Sequence, residues 1–341
     1  MKTIKVGING FGRIGRAFLK VAWDRPEIEI VAVNDLGDIA NMAYLLKYDT
    51  VYRQWNHDIE VEGNNLLIDG KQVKVLAEKE PNKLLWKDLG VEVVVESTGF
   101  FNSYDKAKMH LDAGAKKVVI SAPAKGEGEG VLGDTILLGV NEEKFGTSDI
   151  TSNASCTTNA ASPLIAILDE ALGIEKAILN TTHALTNSQP TVDSINKKDF
   201  REGRAGAHNM VPSSTGAAIA VTKAFPKLKG LFDGIAIRVP IVAGSIADIT
   251  FISKRNTTVE EVNEVLKKAA KEERWKNIFS VTEEELVSSD ILGSHYGSIA
   301  DLKMTRVVGG NLVKVLGWYD NEMGYTYTLV DHVIKTGNTI Q

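Results

Sequence analysis

The stretch Ile4-Lys5-Val6-Gly7-Ile8-Asn9-Gly10-Phe11-Gly12-Arg13-Ile14-Gly15 decides the fold. Residues 4 to 9 form an apolar strand pattern. A helical pattern then runs from Gly12 to Trp23, and a second apolar strand over 28 to 34 completes a strand, helix, strand unit. The three glycines permit a tight turn, close backbone approach to a pyrophosphate, and close packing of helix on strand, while N–H groups at the helix start attract phosphate charge. Gly10, Phe11, Gly12, Arg13, Ile14 and Gly15 are therefore the candidate dinucleotide cradle. Asp35, at the end of the second strand, can hold an adenosine ribose hydroxyl and would repel a phosphate on it, so NAD is expected rather than NADP. The bland alternative is a glycine turn with a solvent-facing aspartate.

Working outward, a helix is expected at 39 to 48, short alternating strands near 59 to 76 with turns at Asn64-Asn65 and Asp69-Gly70, and buried strands at 91 to 95 and 117 to 120 separated by a helix over 105 to 113. This predicts a doubly wound Rossmann-type α/β domain carrying an inserted meander. Beyond residue 155 the pattern changes. Strand candidates at 174 to 183, 235 to 239, 246 to 254 and 311 to 319 lack regular crossover helices, which predicts an α+β domain with a mostly antiparallel sheet. Helices are expected at 216 to 224, 259 to 271 and 322 to 335, and residues 185 to 212 read as a long ordered loop of the kind that carries function. The expected division is a nucleotide-binding domain over 1–155, joined by a C-terminal helical segment over 320–341, and a catalytic domain over 156–319.

The chain has 341 residues, 43% of them hydrophobic, enough for two cores at about 150 residues per domain. Its net charge of -5, with no dense basic block, favours neither nucleic acid nor an anionic membrane. A single cysteine excludes an internal disulfide framework, no apolar run approaches the roughly 20 residues of a membrane span, and no metal site is expected. Met1-Lys2-Thr3-Ile4 enters a strand pattern at once, so a cytoplasmic location is the expectation.

That single cysteine, Cys156, lies in Ser152-Asn153-Ala154-Ser155-Cys156-Thr157-Thr158-Asn159, where Ser155 can cap a helix running from Ala160 to Leu172. Helix-start N–H groups and the positive dipole end favour a thiolate, so the thiol is expected to fall from about 8.5 towards neutrality. The alternative is a small buried hydrophobe. His183 ends a strand and enters the long loop, placed to take a thiol proton and later a substrate proton, although an isolated histidine is commonly structural. His57, His110, His208, His295 and His332 are read as structural. Arg201, Arg204, the run Ser213-Ser214-Thr215-Gly216 and the strand residue Arg238 suggest two anion positions in one pocket; each could instead be a surface ion pair or a cap.

Taken together, IKVGINGFGRIGR, VAVNDL, VVESTGFF, GAKKVVISAPAK, SNASCTTN, TTHALTN, REGRAGAHNMVPSSTGAA and WYDNEMGY resemble the phosphorylating glyceraldehyde-3-phosphate dehydrogenases along nearly the whole length. The resemblance implies Cys156 as nucleophile and His183 as its base, acting through a thiohemiacetal and a thioester that inorganic phosphate cleaves. It implies Ser155, Thr157, Thr215 and Gly216 at the inorganic phosphate, with Arg201 nearby, and Thr186 and Arg238 on the phosphate of glyceraldehyde 3-phosphate. It further implies Asn321 on the nicotinamide carboxamide of NAD, Asp35 on the ribose, Thr98 and Ser121 along the cofactor cleft, Lys79 on the adenine side, and a homotetramer. Four features depart from the common pattern: Ala160 where a second cysteine is frequent, Met323 for a tryptophan, Lys79 for an arginine, and a shortened segment from Lys223 to Gly234. Two competing readings are an erythrose-4-phosphate dehydrogenase and a non-catalytic nucleotide-binding protein.

Overall fold

Strand Ile4–Asn9 lies inside a parallel array in the computed structural model, which describes residues 3–126, 133–197 and 199–340. Two units form: Met1–Ile136, Glu142–Ala154 and Thr326–Gln341 make the first, Leu137–Asn141 and Ser155–Tyr325 the second. In the first, a nine-stranded sheet among the described residues runs in the spatial order 133–135, 150–152, 117–120, 93–96, 4–9, 28–34, 71–76, 65–68, 59–62. Pairing is parallel as far as Lys71–Leu76 and antiparallel over the last three strands, the expected meander. Strands 93–96 and 117–120 are buried throughout, as a parallel sheet covered on both faces requires.

From Ile4–Asn9 the next strand in sequence lies on one side and Val93–Glu96 on the other, which creates a switch point at the carboxyl ends. The residues ending these three strands, Asn9, Asn34 and Glu96, are polar and buried. They satisfy one another: Asn34 Nδ2 donates to Asn9 Oδ1 at 2.7 Å, and Asn9 Nδ2 to Glu96 Oε2 at 2.6 Å. Buried His110 completes the set, 3.0 Å from Glu96 and 3.0 Å from the Trp86 indole nitrogen. Since an indole N–H only donates, His110 Nδ1 accepts and its Nε2–H faces the carboxylate.

The second unit holds an eight-stranded sheet among the described residues. Its main path follows 211–214, 232–238, 174–183, 245–253, 312–319, 298–301, 279–282, and Arg306–Val308 pairs with Leu312–Tyr319. It is mostly antiparallel, but 174–183 with 232–238 and 279–282 with 298–301 pair in parallel. Burial alternates residue by residue along Ser245–Ser253, and helix Cys156–Leu172 packs on the covered face. Expected helices appear as Arg13–Trp23, Ile39–Lys47, Tyr104–Asp112, Ala217–Ala224, Val259–Ala269 and Met323–Asn338. Strands at 133–135, 150–152, 211–214, 279–282, 298–301 and 306–308 escape the sequence reading: each is short and lacks the continuous apolar run that marks the equally short 93–96 and 117–120. No helix among the described residues is long and apolar enough to cross a membrane.

Candidate active site

Ser155 caps helix Cys156–Leu172, its Oγ accepting from Thr158 N at 3.1 Å, so Cys156 occupies the first helical position. Its Sγ is 3.4 Å from His183 Nε2. His183 and Arg238 are the last residues of strands Ile174–His183 and Phe232–Arg238, and the parallel register places them side by side. Parallel pairing delivers both side chains to one sheet end. Arg238 Nη1 comes within 2.6 Å of His183 Nδ1, and that nitrogen also meets Ala184 O at 2.7 Å.

Burial lowers the His183 pKa to about 4, and the Arg238 cation pushes it the same way. Burial also pushes the Cys156 thiol up, against the pull of Arg238 and of the Thr157 backbone N–H. This corrects the expected fall towards neutrality: the helix-start N–H groups are in place, but removing a sulfur anion from water outweighs them. A neutral thiol therefore meets a neutral imidazole with two competing partners on Nδ1: Ala184 O calls for an Nδ1–H, which leaves Nε2 to accept the thiol proton, whereas Arg238 Nη1, which only donates, calls for a bare Nδ1. Arg238 Nε is buried without a hydrogen-bond partner, leaving cationic N–H capacity for an anion.

Tyr319 supports this centre from below. Its hydroxyl meets Thr157 Oγ1 at 2.9 Å and Thr181 Oγ1 at 2.8 Å, its ring stands edge-on to His183, and burial raises its pKa far above the usual phenol value. The Thr157 side chain is thus engaged in the core. Thr215 Oγ1 accepts from Ala217 N at 3.2 Å, and Gly216 is the N-cap of Ala217–Ala224. Thr186 is exposed, bonded to Ser188 and Gln189. Arg201 forks onto Asp199 and Arg204 pairs with Asp193, so the structure gives both arginines local carboxylate partners. Asn321 Oδ1 accepts from Gly244 N at 3.1 Å and from Ser245 Oγ at 3.0 Å.

In the first unit, Gly10 has φ +95°, and a Cβ there would lie 2.6 Å from Thr98 N. A Cβ on Gly15 would lie 2.1 Å from Gly10 O, whereas one on Gly12 would meet open space. That leaves open space beside the start of helix Arg13–Trp23, whose N–H groups favour an anion. Asp35 is oriented by Phe11 N at 2.7 Å on Oδ2 and Gly37 N at 3.0 Å on Oδ1. Arg13 forms a forked pair with Asp49, and Ile14 follows it in the first helical turn. Thr98 is held by Glu96 through its N–H at 2.8 Å and through its hydroxyl. Ser121 is tied by its backbone to Glu96 O, and Lys79 is exposed. No group of three His, Cys, Asp or Glu residues among those described could hold a metal ion.

Sequence reasoning passed over Tyr319, Ser245, Glu96 and His110 as site components. The alternation along Leu312–Tyr319 marks Tyr319 as inward, but nothing in the pattern reveals what it touches.

Residues 4–104 match the family described as glyceraldehyde 3-phosphate dehydrogenase, NAD binding domain, and residues 155–321 match its C-terminal domain. The chain is 47% identical over 331 residues to glyceraldehyde-3-phosphate dehydrogenase of Clostridium pasteurianum, covering 96% of each chain. It is also 47% identical to glyceraldehyde-3-phosphate dehydrogenase 1 of Bacillus subtilis (strain 168), over 98% of this chain and 99% of that one. Glyceraldehyde-3-phosphate dehydrogenase of Geobacillus stearothermophilus is 47% identical over 96% of this chain and 97% of its own.

Proposed function

Because the chain belongs to the glyceraldehyde-3-phosphate dehydrogenase family, we propose that it oxidises D-glyceraldehyde 3-phosphate with NAD and inorganic phosphate to 1,3-bisphosphoglycerate. The observation that carries the chemistry is the 3.4 Å approach of Cys156 Sγ to His183 Nε2. The thiol proton passes to Nε2 as sulfur attacks the aldehyde carbon, and returns to the new alkoxide to give a thiohemiacetal. Bound NAD supplies the hydride acceptor. As the carbon is oxidised to a thioester, His183 takes the hydroxyl proton; phosphate oxygen then attacks the thioester, and the departing sulfur recovers a proton from His183. The Cys156 backbone N–H lies at the helix start, where it can donate to the oxyanion.

In this reading Arg238 and Thr186 hold the substrate phosphate, and Ser155, Thr157, Thr215, Gly216 and Arg201 serve the inorganic phosphate, with Arg201 exchanging Asp199 for it. Gly10 to Gly15, Asp35, Lys79, Thr98 and Ser121 hold NAD, and Asn321 its carboxamide. Residues 1–155 with 320–341 bind the cofactor, and 156–319 carry catalysis. An anion on Arg238 would offset the cation that depresses His183, so the base strengthens when substrate arrives. Exposed Ile178, Ile235 and Leu312 on the second sheet, with Val192, Ile195 and Phe200 in the long loop, support a homotetramer. A cytoplasmic location accompanies the proposal, since a working free thiol suits reducing surroundings.

The decisive experiment follows NAD reduction by glyceraldehyde 3-phosphate with and without inorganic phosphate or arsenate. Sustained turnover that requires the anion is expected. Equal turnover without it points to a hydrolytic relative, and no reduction by folded protein overturns the proposal.

A further inference from the structure

Ser245 is the first residue of strand Ser245–Ser253, buried at 2% exposure, with a small hydroxyl as its only chemical resource. Two hydrogen bonds fix the direction of that hydroxyl. The Ala184 backbone N–H, which can only donate, donates to Ser245 Oγ at 3.1 Å, so the hydroxyl proton is free to go to Asn321 Oδ1 at 3.0 Å. Gly244 N donates to the same oxygen at 3.1 Å. With two donors on Oδ1 the Asn321 amide has one orientation, and its Nδ2 is left without a protein partner among the described residues. On the other side, Ala184 contributes the carbonyl that meets His183 Nδ1 at 2.7 Å.

We propose that Ser245 is a positioning residue that presents the Asn321 amide as a donor to the nicotinamide carboxamide and ties it to the 183–184 backbone that orients the base. The inference rests on the reading of Asn321 as the carboxamide contact. The connection runs without a gap from Asn321 Oδ1 through Ser245 Oγ and the Ala184 residue to the His183 ring, and from there to Cys156 Sγ. Replacing Ser245 by alanine removes one of the two groups that fix the amide and leaves the buried Ala184 N–H unpaired. Both the grip on nicotinamide and the placement of His183 loosen. The ADP-ribose portion of the cofactor is untouched.

The test compares NAD with ADP-ribose, which lacks nicotinamide, by titration calorimetry on the full-length protein. Ser245→Ala is expected to weaken NAD about three- to tenfold, the loss typical of one neutral hydrogen bond, to leave ADP-ribose affinity unchanged, and to lower kcat. Ser245→Thr, which keeps a hydroxyl, is expected to restore most of the NAD affinity. In an Asn321→Ala background the serine change should have no further effect on NAD. Equal weakening of both ligands, or no change in either, overturns the role of Ser245. If Asn321→Ala itself leaves the preference for NAD over ADP-ribose intact, the carboxamide reading fails instead, so the two failures are distinguishable.

Discussion

Arg238 acts on two partners with opposite demands. Its cation favours a Cys156 thiolate but opposes a His183 imidazolium, the second effect acting from Nη1 across 2.6 Å to Nδ1. An anion on Arg238 relieves that opposition. Sulfate or phosphate is therefore expected to accelerate alkylation of Cys156 by uncharged iodoacetamide near neutral pH about two- to tenfold, an effect of the size that one partly screened charge exerts. Arg238→Leu should abolish the response. An unchanged alkylation rate with saturating anion, or an equal acceleration in the variant, would refute this account of the pair. At this scale the sequence was informative about identity and poor about environment. Cys156, His183, Arg238 and Asp35 are legible because each stands at the edge of a periodic element. The desolvation that raises the thiol depends on neighbours brought in by tertiary folding, whereas the carboxylates on Arg201 and Arg204 come from the same loop, Asp199 and Asp193, in keeping with the surface ion pairs weighed as the alternative.

The C-terminal helix Met323–Asn338 shows what an element contributes beyond its periodicity. His332, fully buried on it, meets Thr151 Oγ1 at 2.8 Å and Asn153 Oδ1 at 3.2 Å, and burial lowers its pKa from 6.5 to about 3. His183 moves from 6.5 to about 4 for the same first reason. A histidine with a depressed folded value binds fewer protons folded than unfolded. Its stabilisation is therefore complete above pH 6.5 and is lost as pH falls from there towards the folded value, at up to about 1.4 kcal/mol per pH unit for each residue. Urea unfolding should show this acid-side loss, and His332→Gln should make its slope shallower while lowering stability at neutral pH by about 1–3 kcal/mol through imperfectly matched hydrogen bonds. An unaltered slope in the variant would remove His332 from the explanation. Among the elements, the long alternating and helical segments were readable to within a few residues. The parallel pairing of 174–183 with 232–238 was not: strand direction is set by the connection between the strands, and periodicity carries no sign of it.

For the whole molecule, association is the property least visible in one chain. Alternation along Ser245–Ser253 covers one face of the second sheet with helix and leaves the other with apolar side chains, including Ile178, Ile235 and Leu312, more than 40% exposed. Sedimentation equilibrium should give four times the 37.0 kDa chain mass, and replacing Ile178 and Ile235 by lysine should give smaller species. A monomer for the parent chain would refute the homotetramer. The change in pattern near residue 155 falls at the boundary after Ala154, and Thr326–Gln341, within the C-terminal segment expected to join the first domain, lies with the first unit; the placement of Leu137–Asn141 in the second has no mark in the sequence. Arg25 pairs with Asp331, and Ile4 packs where a Cβ on Gly337 would stand, so two segments far apart along the chain share one core. A ribosome that has delivered every described strand of the first sheet still holds back the helix that finishes it, and the nascent unit must wait, partly uncovered, until Ser155–Tyr325 has been made as well.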